Sequence, residues 1–188
     1  MNDPKIKCNI IVAVFLRDEK AGIGINGEIP WEVPDDMKRF KELTMDSVVI
    51  MGKNTWYSIP SKFRPLRNRV NVVVSSTMSS EETQGYKVVG NLPEALEYAQ
   101  IVCKEKKIEK IFIMGGESIY NEMIEHHAEE IGKLYITFVR EKALNHIDQQ
   151  FDTYFPLKKY TERGFGIESF EEFTDHSFYI YVKNDNTL

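Results

Sequence analysis

The stretch that decides the fold spans residues 21–40 and reads Ala21-Gly-Ile-Gly-Ile-Asn-Gly-Glu-Ile-Pro-Trp-Glu-Val-Pro-Asp-Asp-Met-Lys-Arg-Phe40. Its three glycines have the G-x-G-x-x-G spacing of a dinucleotide-binding turn, but that turn requires a helix to open directly behind the glycines. Pro30 and Pro34 follow instead, and proline interrupts a helix. The stretch therefore predicts a flexible glycine-rich loop that ends at Trp31, followed by a helix that begins near Asp35.

The composition restricts the classes of protein that remain. The chain has 188 residues, of which 42% are hydrophobic, so a single domain covering residues 1–188 is expected. The net charge of −5 argues against nucleic-acid binding, which requires a basic surface. The apolar run at residues 10–16 is too short to cross a bilayer and lacks a signal-peptide cleavage pattern. A cytoplasmic protein without a membrane partner is therefore expected.

The cysteines and histidines do not form a recognisable metal or disulfide pattern. Cys8 and Cys103 are isolated in the sequence, without a C-x-x-C spacing, so both are expected to be reduced thiols. His126 and His127 are adjacent, and adjacent residues on a helix point in different directions. The sequence therefore predicts no metal site.

Short apolar runs alternate with helical patterns along most of the chain, which predicts an α/β fold. The predicted strands lie at residues 8–16, 47–51, 69–75 and 110–114. The predicted helices lie at residues 35–44, 55–59, 93–106 and 117–127. Strands joined through helices predict a mainly parallel sheet covered on both faces. Strands at 134–139, 164–173 and 178–183 lack intervening helices, so the sheet should end in an antiparallel hairpin.

Asp36 is the first candidate for chemistry. It lies in the first turn of the predicted helix, where the helix dipole favours a carboxylate. Met37 and Phe40 lie near it at helical spacing, so the acid could close an apolar cleft. There it could hold a flat, amidine-like heterocycle by two parallel hydrogen bonds. The alternative is that Asp35 and Asp36 only cap the helix.

Two strand ends carry groups that suit a phosphate. Gly115-Gly116 follows one predicted strand and precedes a helix, where backbone N–H groups are free to meet an anion. The alternative is an ordinary tight turn. Lys53 and Thr55 follow another strand and offer a charge and a hydroxyl. Their alternative is a solvated lysine and a helix-capping threonine.

A basic segment between these strands contains one position that differs from the others. Lys62, Arg64 and Arg67 are expected to face water, whereas Arg69 opens a predicted strand. A rigid position suits a bidentate contact between a guanidinium and a carboxylate. Together with the acid and the phosphate-binding candidates, Arg69 predicts a two-ligand cleft at the carboxyl ends of the parallel strands.

Nearly the whole chain, from residue 8 to residue 182, resembles the dihydrofolate reductases, most of all those of eukaryotes. The resemblance rests on the order and spacing of seven motifs. They are Ile11-Val-Ala-Val14, Gly22-Ile-Gly with Asn26-Gly-Glu-Ile-Pro-Trp31, Met51-Gly-Lys-Asn-Thr-Trp56, Arg64-Pro-Leu-Arg-Asn-Arg69, Gly115-Gly116 with Tyr120, Leu134-Tyr-Ile-Thr137, and Asp152-Thr-Tyr-Phe-Pro156. The resemblance implies a mixed, mostly parallel sheet of about eight strands flanked by about four helices, in a monomer.

The resemblance also implies a reaction. A hydride would pass from C4 of NADPH to C6 of 7,8-dihydrofolate, and a proton to N5, giving tetrahydrofolate for one-carbon metabolism. Asp36, a catalytic residue in this comparison, would hold the 2-amino group and N3 of the pterin and favour protonation at N5. Thr137 would share its hydrogen bonds, and Trp31 would order a water nearby. Antifolates of the methotrexate or trimethoprim type would bind in the same pocket.

The resemblance assigns further contacts residue by residue. Those to the substrate are Ile11, Val12, Asp36, Met37, Phe40, Ser58, Ile59, Phe63, Leu66, Arg69, Met114, Tyr120 and Thr137. Those to NADPH are Ala13, Gly22, Ile23, Gly24, Ile25, Asn26, Gly27, Glu28, Gly52, Lys53, Asn54, Thr55, Ser75, Ser76, Thr77, Gly115, Gly116, Glu117, Ser118, Ile119 and Tyr120. In the family a cis peptide joins the two glycines, and the loop that ends at Trp31 closes over the nicotinamide.

The chain departs from its relatives at several positions. Position 36 has an aspartate, as in bacterial members, where vertebrate enzymes have a glutamate. The charged insert Arg17-Asp-Glu-Lys20 lengthens the link that precedes Gly22. Ser76 and Gly90 stand where many relatives have basic residues near the adenosine 2′-phosphate. Two alternatives stay open: a non-catalytic folate- or nucleotide-binding module, and a reductase of this fold for another pterin or pyrimidine.

Overall fold

The computed structural model describes residues 4–79, 85–145 and 150–184. The strands are β1 (Cys8–Arg17), β2 (Lys20–Gly24), β3 (Val48–Gly52), β4 (Val70–Val74), β5 (Tyr86–Val89), β6 (Ile111–Ile113), β7 (Ile131–Val139), β8 (Thr153–Phe155), β9 (Phe165–Glu172) and β10 (His176–Lys183). The helices are α1 (Pro34–Thr44), α2 (Lys53–Ser58), α3 (Leu92–Lys106), α4 (Glu117–His126) and α5 (Leu157–Glu162). Short 3-10 helices lie at Ser61–Phe63, Ala128–Glu130 and Glu141–Ala143.

Eight strands form the main sheet, in the order β5-β4-β3-β6-β1-β7-β10-β9. The six strands from β5 to β7 pair in parallel. β10 runs antiparallel to both β7 and β9. The predicted α/β class, the mostly parallel sheet and the antiparallel C-terminal hairpin are therefore confirmed. Five helices are described where about four were expected, because the sequence pattern did not reveal the six-residue α5.

Helices cover both faces of the sheet, as the strand–helix alternation predicted. α3 and α4 pack on one face through residues such as Leu96 and Met123. α1 and α2 lie over the other face, where Phe40 and Trp56 pack against buried strand residues. β3 is buried along its length because it is central and covered on both sides. Such strands have continuous apolar sequences instead of alternating ones.

The first part of the predicted glycine loop is a strand, so the prediction of a loop is wrong for residues 21–24. β2 pairs antiparallel with β1 and with β8. The charged insert supplies the hairpin turn, in which Asp18 and Glu19 have φ values of 50° and 61°. Two consecutive positive φ values match the right-handed twist of the flanking strands. Two backbone hydrogen bonds close the remaining loop, residues 25–31. The Ile25 N–H donates to the Glu28 carbonyl at 3.0 Å, and the Glu28 N–H donates to the Ile25 carbonyl at 2.9 Å.

Packing explains why the glycines are compatible with a strand. A Cβ atom on Gly22 would lie 2.3 Å from ring atoms of Phe151, so only glycine fits between β1 and that ring. Glycine otherwise disfavours strands, and this is why its presence predicted a loop. β5 and β8, of four and three residues, were missed because runs this short show no periodicity.

Several smaller features bear on the class of protein. Cys8 and Cys103 are free and buried, in agreement with the predicted thiols, and burial raises their pKa values to about 12 and about 11. Within residues 4–79, 85–145 and 150–184, no helix has the length and apolar character needed to cross a bilayer. The same residues contain no cluster of three or more His, Cys, Asp or Glu placed to hold a metal ion.

We predict that Gly22→Ala destabilises the protein by about 1–3 kcal/mol, because the added methyl group overlaps the ring of Phe151. Urea denaturation followed by fluorescence measures the change. Gly90→Ala is the matched control, since its Cβ would approach the Glu94 side chain no closer than 3.6 Å. A Gly22→Ala midpoint equal to that of the control would contradict the packing argument.

Candidate active site

A cleft of about 1690 Å³ lies along the carboxyl ends of the parallel strands. Gly52 at the end of β3, Val74 at the end of β4, Gly90 after β5 and Met114 after β6 all line it. In open α/β sheets, ligands bind outside this edge. The structure thus has a cavity large enough for two ligands. It lies at the edge of the sheet where the sequence predicted a two-ligand cleft.

Most of the predicted site residues line this cleft. They are Ile11, Val12, Ala13, Ile23, Gly24, Gly27, Glu28, Asp36, Met37, Phe40, Gly52, Lys53, Asn54, Thr55, Ser58, Ile59, Phe63, Leu66, Arg69, Ser75, Ser76, Thr77, Met114, Gly115, Gly116, Glu117, Ser118, Ile119 and Tyr120. The residues that line the cleft do not include Gly22, Ile25, Asn26, Trp31 or Thr137.

Asp36 is positioned by the start of α1. Val33 precedes the helix and accepts the backbone N–H of Asp36 at 3.0 Å, and Pro34 occupies the first turn. The side chain of Asp36 does not cap the helix. It accepts a hydrogen bond from the hydroxyl of Thr137, on β7, at 2.6 Å. The alternative of a simple helix cap is therefore wrong for Asp36. Its carboxylate accepts from the Thr137 hydroxyl and does not cap the backbone N–H groups at the start of α1.

The surroundings of Asp36 alter its protonation. Burial raises the pKa of its carboxyl group above the ordinary range. The hydrogen bond from Thr137 and the nearby charges of Arg39 and His176 act in the opposite direction but do not cancel the effect of burial. The site therefore contains a carboxylate with increased proton affinity beside the apolar side chains of Met37 and Phe40.

Trp31 lies in a hydrophobic cluster next to Ala13, which lines the cleft. It is 6% exposed, and its ring centroid is 6.1 Å from that of Phe151. The cluster also contains Phe15, Val33 and Val139. The ordering of a water by Trp31 stays a prediction, whereas its packing shows that it anchors the end of the glycine loop.

The glycine pair is held by close packing at the centre of the cleft. The Gly115–Gly116 peptide is cis, as the resemblance implied, and the carbonyl of Gly115 accepts the Gly52 N–H at 2.8 Å. A Cβ on Gly115 would come within 3.1 Å of the Tyr120 ring, and one on Gly116 within 3.3 Å of the Thr55 hydroxyl. Larger residues would push these walls apart. α4 then begins at Glu117, with its N-terminus at the cleft.

Hydroxyl groups and one lysine meet beyond the glycines. The Lys53 ammonium donates to the Thr77 hydroxyl at 2.8 Å. The Ser75 hydroxyl accepts the backbone N–H groups of Thr77 and Met78 at 3.2 and 3.1 Å. Gly90 and Asn91 line the same end. The resemblance had placed Gly90 near the adenosine 2′-phosphate. Asn91 went unrecognised as a site residue because it follows β5, the strand that the sequence pattern did not reveal.

Arg69 lies at the opposite end of the cleft. Its guanidinium donates to the Arg67 carbonyl at 2.9 Å and to the Thr44 hydroxyl at 3.3 Å. Asn71, which is buried, ties down the preceding loop by accepting from the Leu66 N–H and donating to the Leu66 carbonyl, both at 2.9 Å. Sequence reasoning missed this supporting role of Asn71. A polar residue inside an otherwise apolar strand was the available signal.

Comparison with known proteins identifies the family of this chain. A family model described as dihydrofolate reductase matches residues 10–182. The chain belongs to the dihydrofolate reductase family.

Relatives from distant organisms agree with this membership. The dihydrofolate reductase of Schistosoma mansoni is 34% identical over 182 residues, covering 85% of this chain and 92% of that protein. The dihydrofolate reductase of Sus scrofa is 31% identical over 193 residues, covering 94% and 98%. A viral dihydrofolate reductase of Saimiriine herpesvirus 2 is 35% identical over 162 residues, covering 81% and 71%.

We predict that Asp36→Asn stabilises the protein at neutral pH. The raised pKa means that folded Asp36 binds its proton more tightly than the unfolded chain does. That stabilisation is complete below the unfolded pKa of about 3.9 and is lost as the pH rises through the folded pKa. An asparagine has no proton to lose and avoids this effect. We expect its free energy of unfolding to exceed that of the wild type by on the order of 1 kcal/mol at pH 7.5, and the difference to disappear near pH 4.

Urea denaturation of both proteins at pH 4 and pH 7.5 measures the difference. Asp35→Asn, an exposed neighbour in the same helical turn, is the control and should change stability little at either pH. A loss of stability in Asp36→Asn at both pH values would contradict the assigned environment.

Proposed function

We propose that this chain catalyses the NADPH-dependent reduction of 7,8-dihydrofolate to 5,6,7,8-tetrahydrofolate. The main support is the Asp36 carboxylate, which lies in an apolar cleft and is bonded to the Thr137 hydroxyl. A carboxylate in this place can accept two parallel hydrogen bonds, from the 2-amino group and N3 of a pterin. Relatives that cover most of the chain bear the name of this enzyme.

The walls beside Asp36 suit a flat ring with an aromatic extension. Four apolar side chains line the cleft together with Asp36: Ile11, Phe40, Ile59 and Met114. Arg69 then lies at the end where the carboxylate tail of the substrate would leave the cleft. A guanidinium held by two protein hydrogen bonds is pre-oriented for this contact, which lowers the entropy lost on binding.

The protein would promote reduction by placing charge and excluding water. Hydride addition at C6 requires a proton at N5, so that the substrate gains two electrons and two protons in total. A carboxylate paired with the 2-amino group and N3 favours positive charge on the pterin, and this assists protonation at N5. Residues 25–31 would cover the reacting rings. The Asn26 N–H donates to the Asp152 carboxylate at 2.7 Å, which ties the loop to the segment before β8.

The other end of the cleft fits a nicotinamide dinucleotide. The glycine pair and the N-terminus of α4 present backbone to a pyrophosphate, and Lys53 with Ser75 and Thr77 forms a polar cluster for the adenosine phosphate. NADPH, when bound, supplies the hydride. Because Ser76 and Gly90 are uncharged, Lys53 is the charge on which we expect the affinity for the 2′-phosphate to depend.

The same site accounts for the expected partners. A 2,4-diaminopyrimidine antifolate can present two N–H groups to Asp36 in the geometry that the pterin would use. We further propose that the chain works as a single domain, as a monomer and in the cytoplasm, without nucleic acid or a membrane as partner.

Asp36→Asn provides the decisive test of this function. The wild-type protein should oxidise NADPH only when dihydrofolate is present, followed by the absorbance decrease at 340 nm. Asp36→Asn should lower kcat/KM by about 10²–10⁴-fold, because the neutral amide cannot stabilise charge on the pterin. Its Kd for NADPH should stay within about twofold. Absence of turnover in the wild-type protein would exclude the proposed reaction and favour a binding module.

Arg69→Leu tests the orientation of the substrate. Loss of a charge-assisted contact should weaken folate binding by about 10–100-fold while leaving the Kd for NADPH unchanged. Arg67→Leu is the control, since Arg67 also lines the cleft but is more exposed. Fluorescence titrations of both ligands measure the effects. Equal weakening of folate and NADPH binding would contradict the assigned contact.

A further inference from the structure

The end of the cleft beside β5 carries little positive charge. Residues 75–94, which run from the end of β4 through β5 into α3, contain one basic residue, Lys87, and three glutamates. The Lys87 Nζ lies 5.7 Å from the ring centroid of Tyr98 on α3, and Lys87 does not line the cleft. Among the described residues at this end, Lys53 is therefore the available cation, and its ammonium already donates to the Thr77 hydroxyl.

Glu94 places a carboxylate at the same end of the cleft. It lies in the first turn of α3, and its Oε2 accepts the backbone N–H of Gly90 at 3.1 Å. Its Oε1 accepts from the side-chain amide of Asn91 at 2.8 Å. Gly90 and Asn91 both line the cleft, so these two bonds hold the carboxylate beside the lining. Because Glu94 is exposed and a carboxylate can accept about four hydrogen bonds, it can also accept from a ligand.

Strand pairing brings this carboxylate close to the polar cluster around Lys53. The Ser75 N–H donates to the Val89 carbonyl at 2.9 Å, which joins the ends of the parallel strands β4 and β5. The Ser75 hydroxyl accepts the backbone N–H of Thr77, whose own hydroxyl accepts from Lys53. The end of β4 is therefore connected to a lysine, and the adjoining end of β5 is connected to Glu94.

Backbone donors at the start of α3 are already occupied. The Glu94 N–H donates to the side-chain oxygen of Asn91 at 2.9 Å, and the Gly90 N–H donates to the Glu94 carboxylate. A helix start with free N–H groups attracts a phosphate through those groups and the helix dipole. Here the chain's own carboxylate takes that place, so a phosphate gains less from the helix and is repelled by Glu94.

The two common nicotinamide dinucleotides differ at the adenosine 2′ position. NADPH has a phosphate there, which requires positive charge, whereas NADH has a hydroxyl, which can donate to an acceptor. In dinucleotide sites a carboxylate typically binds the ribose 2′-hydroxyl, and an arginine accommodates the 2′-phosphate. The described residues at this end supply one lysine, one carboxylate and several neutral hydroxyl groups. This combination fits both dinucleotides.

We propose that the chain binds NADH nearly as well as NADPH, and that Glu94 is the specificity-determining residue that limits selection of the 2′-phosphate. Lys53 attracts the phosphate of NADPH. Glu94 opposes that phosphate and accepts a hydrogen bond from the 2′-hydroxyl of NADH. The inference rests on the proposed function for the presence of a nicotinamide dinucleotide in the cleft, and it extends that function to a second hydride donor.

Direct titration with each dinucleotide tests the proposal without substrate. The fluorescence of the bound nicotinamide gives the two Kd values. At about 0.1 M salt, the Kd for NADH should exceed that for NADPH by no more than about tenfold, because one charge-assisted contact is opposed by one like charge. With dihydrofolate present, the kcat/KM values of the two cofactors should differ by a similar factor. A larger ratio of Kd values would overturn the inference.

Glu94→Gln isolates the effect of the carboxylate charge, since the amide oxygen can still accept the Gly90 N–H. The variant should bind NADPH about 3–10-fold more tightly and NADH no more tightly, so the ratio of the two Kd values rises. Glu105→Gln is the matched control. It removes the same charge from an exposed position in the last turn of α3, about 16 Å along the helix and beyond the Debye length. An unchanged ratio in Glu94→Gln, or an equal rise in both variants, would overturn the role of Glu94.

Binding and turnover together distinguish failure of this inference from failure of the proposed function. If both dinucleotides bind within about tenfold of each other but neither supports reduction of dihydrofolate, the proposed reaction is excluded and the cofactor selectivity stands. If NADPH alone binds and supports turnover, the proposed reaction stands and the inference is overturned. If neither dinucleotide binds, both are overturned.

Discussion

The hydrogen bond between Thr137 and Asp36 connects α1 to β7 across the floor of the cleft. It exists because α1 starts at Pro34 and not earlier. This start places Asp36, the second acidic residue of the first turn, over β7. A carboxylate in this position loses hydration, and its pKa rises. The protein compensates in part with one hydroxyl donor and nearby positive charge, and the resulting balance is the property that a protonatable heterocycle can use.

The two ends of the cleft are built by different means. At one end, glycines let backbone segments approach closely, since Gly115 and Gly116 pack against Tyr120 and Thr55. At the other end, the loop that carries Arg69 is fixed by the buried side chain of Asn71. Backbone groups recognise an anion by dipoles, whereas a guanidinium recognises a carboxylate by charge and shape. Under the proposed function, a substrate tail and a cofactor phosphate would bind at opposite ends.

The strand β2 shows where sequence reasoning was inadequate. The glycines at positions 22 and 24 predicted a loop by local preference, yet they lie in a strand between β1 and β8. At position 22, the ring of Phe151, more than a hundred residues away, fills the space that a side chain would occupy. Local propensity is a weak guide when a distant residue determines the packing.

By itself, the sequence determined the order of the longer strands and helices, the late start of α1, and the motifs that indicate the family. These features depend on residues close together in the chain, through periodicity, proline placement and glycine pairs. Only the tertiary structure decided that Asp36 meets Thr137. It also decided that Trp31 packs against Phe151. Each of these contacts joins residues far apart in sequence, and the burial that raises the pKa of Asp36 arises only when the sheet and helices pack together.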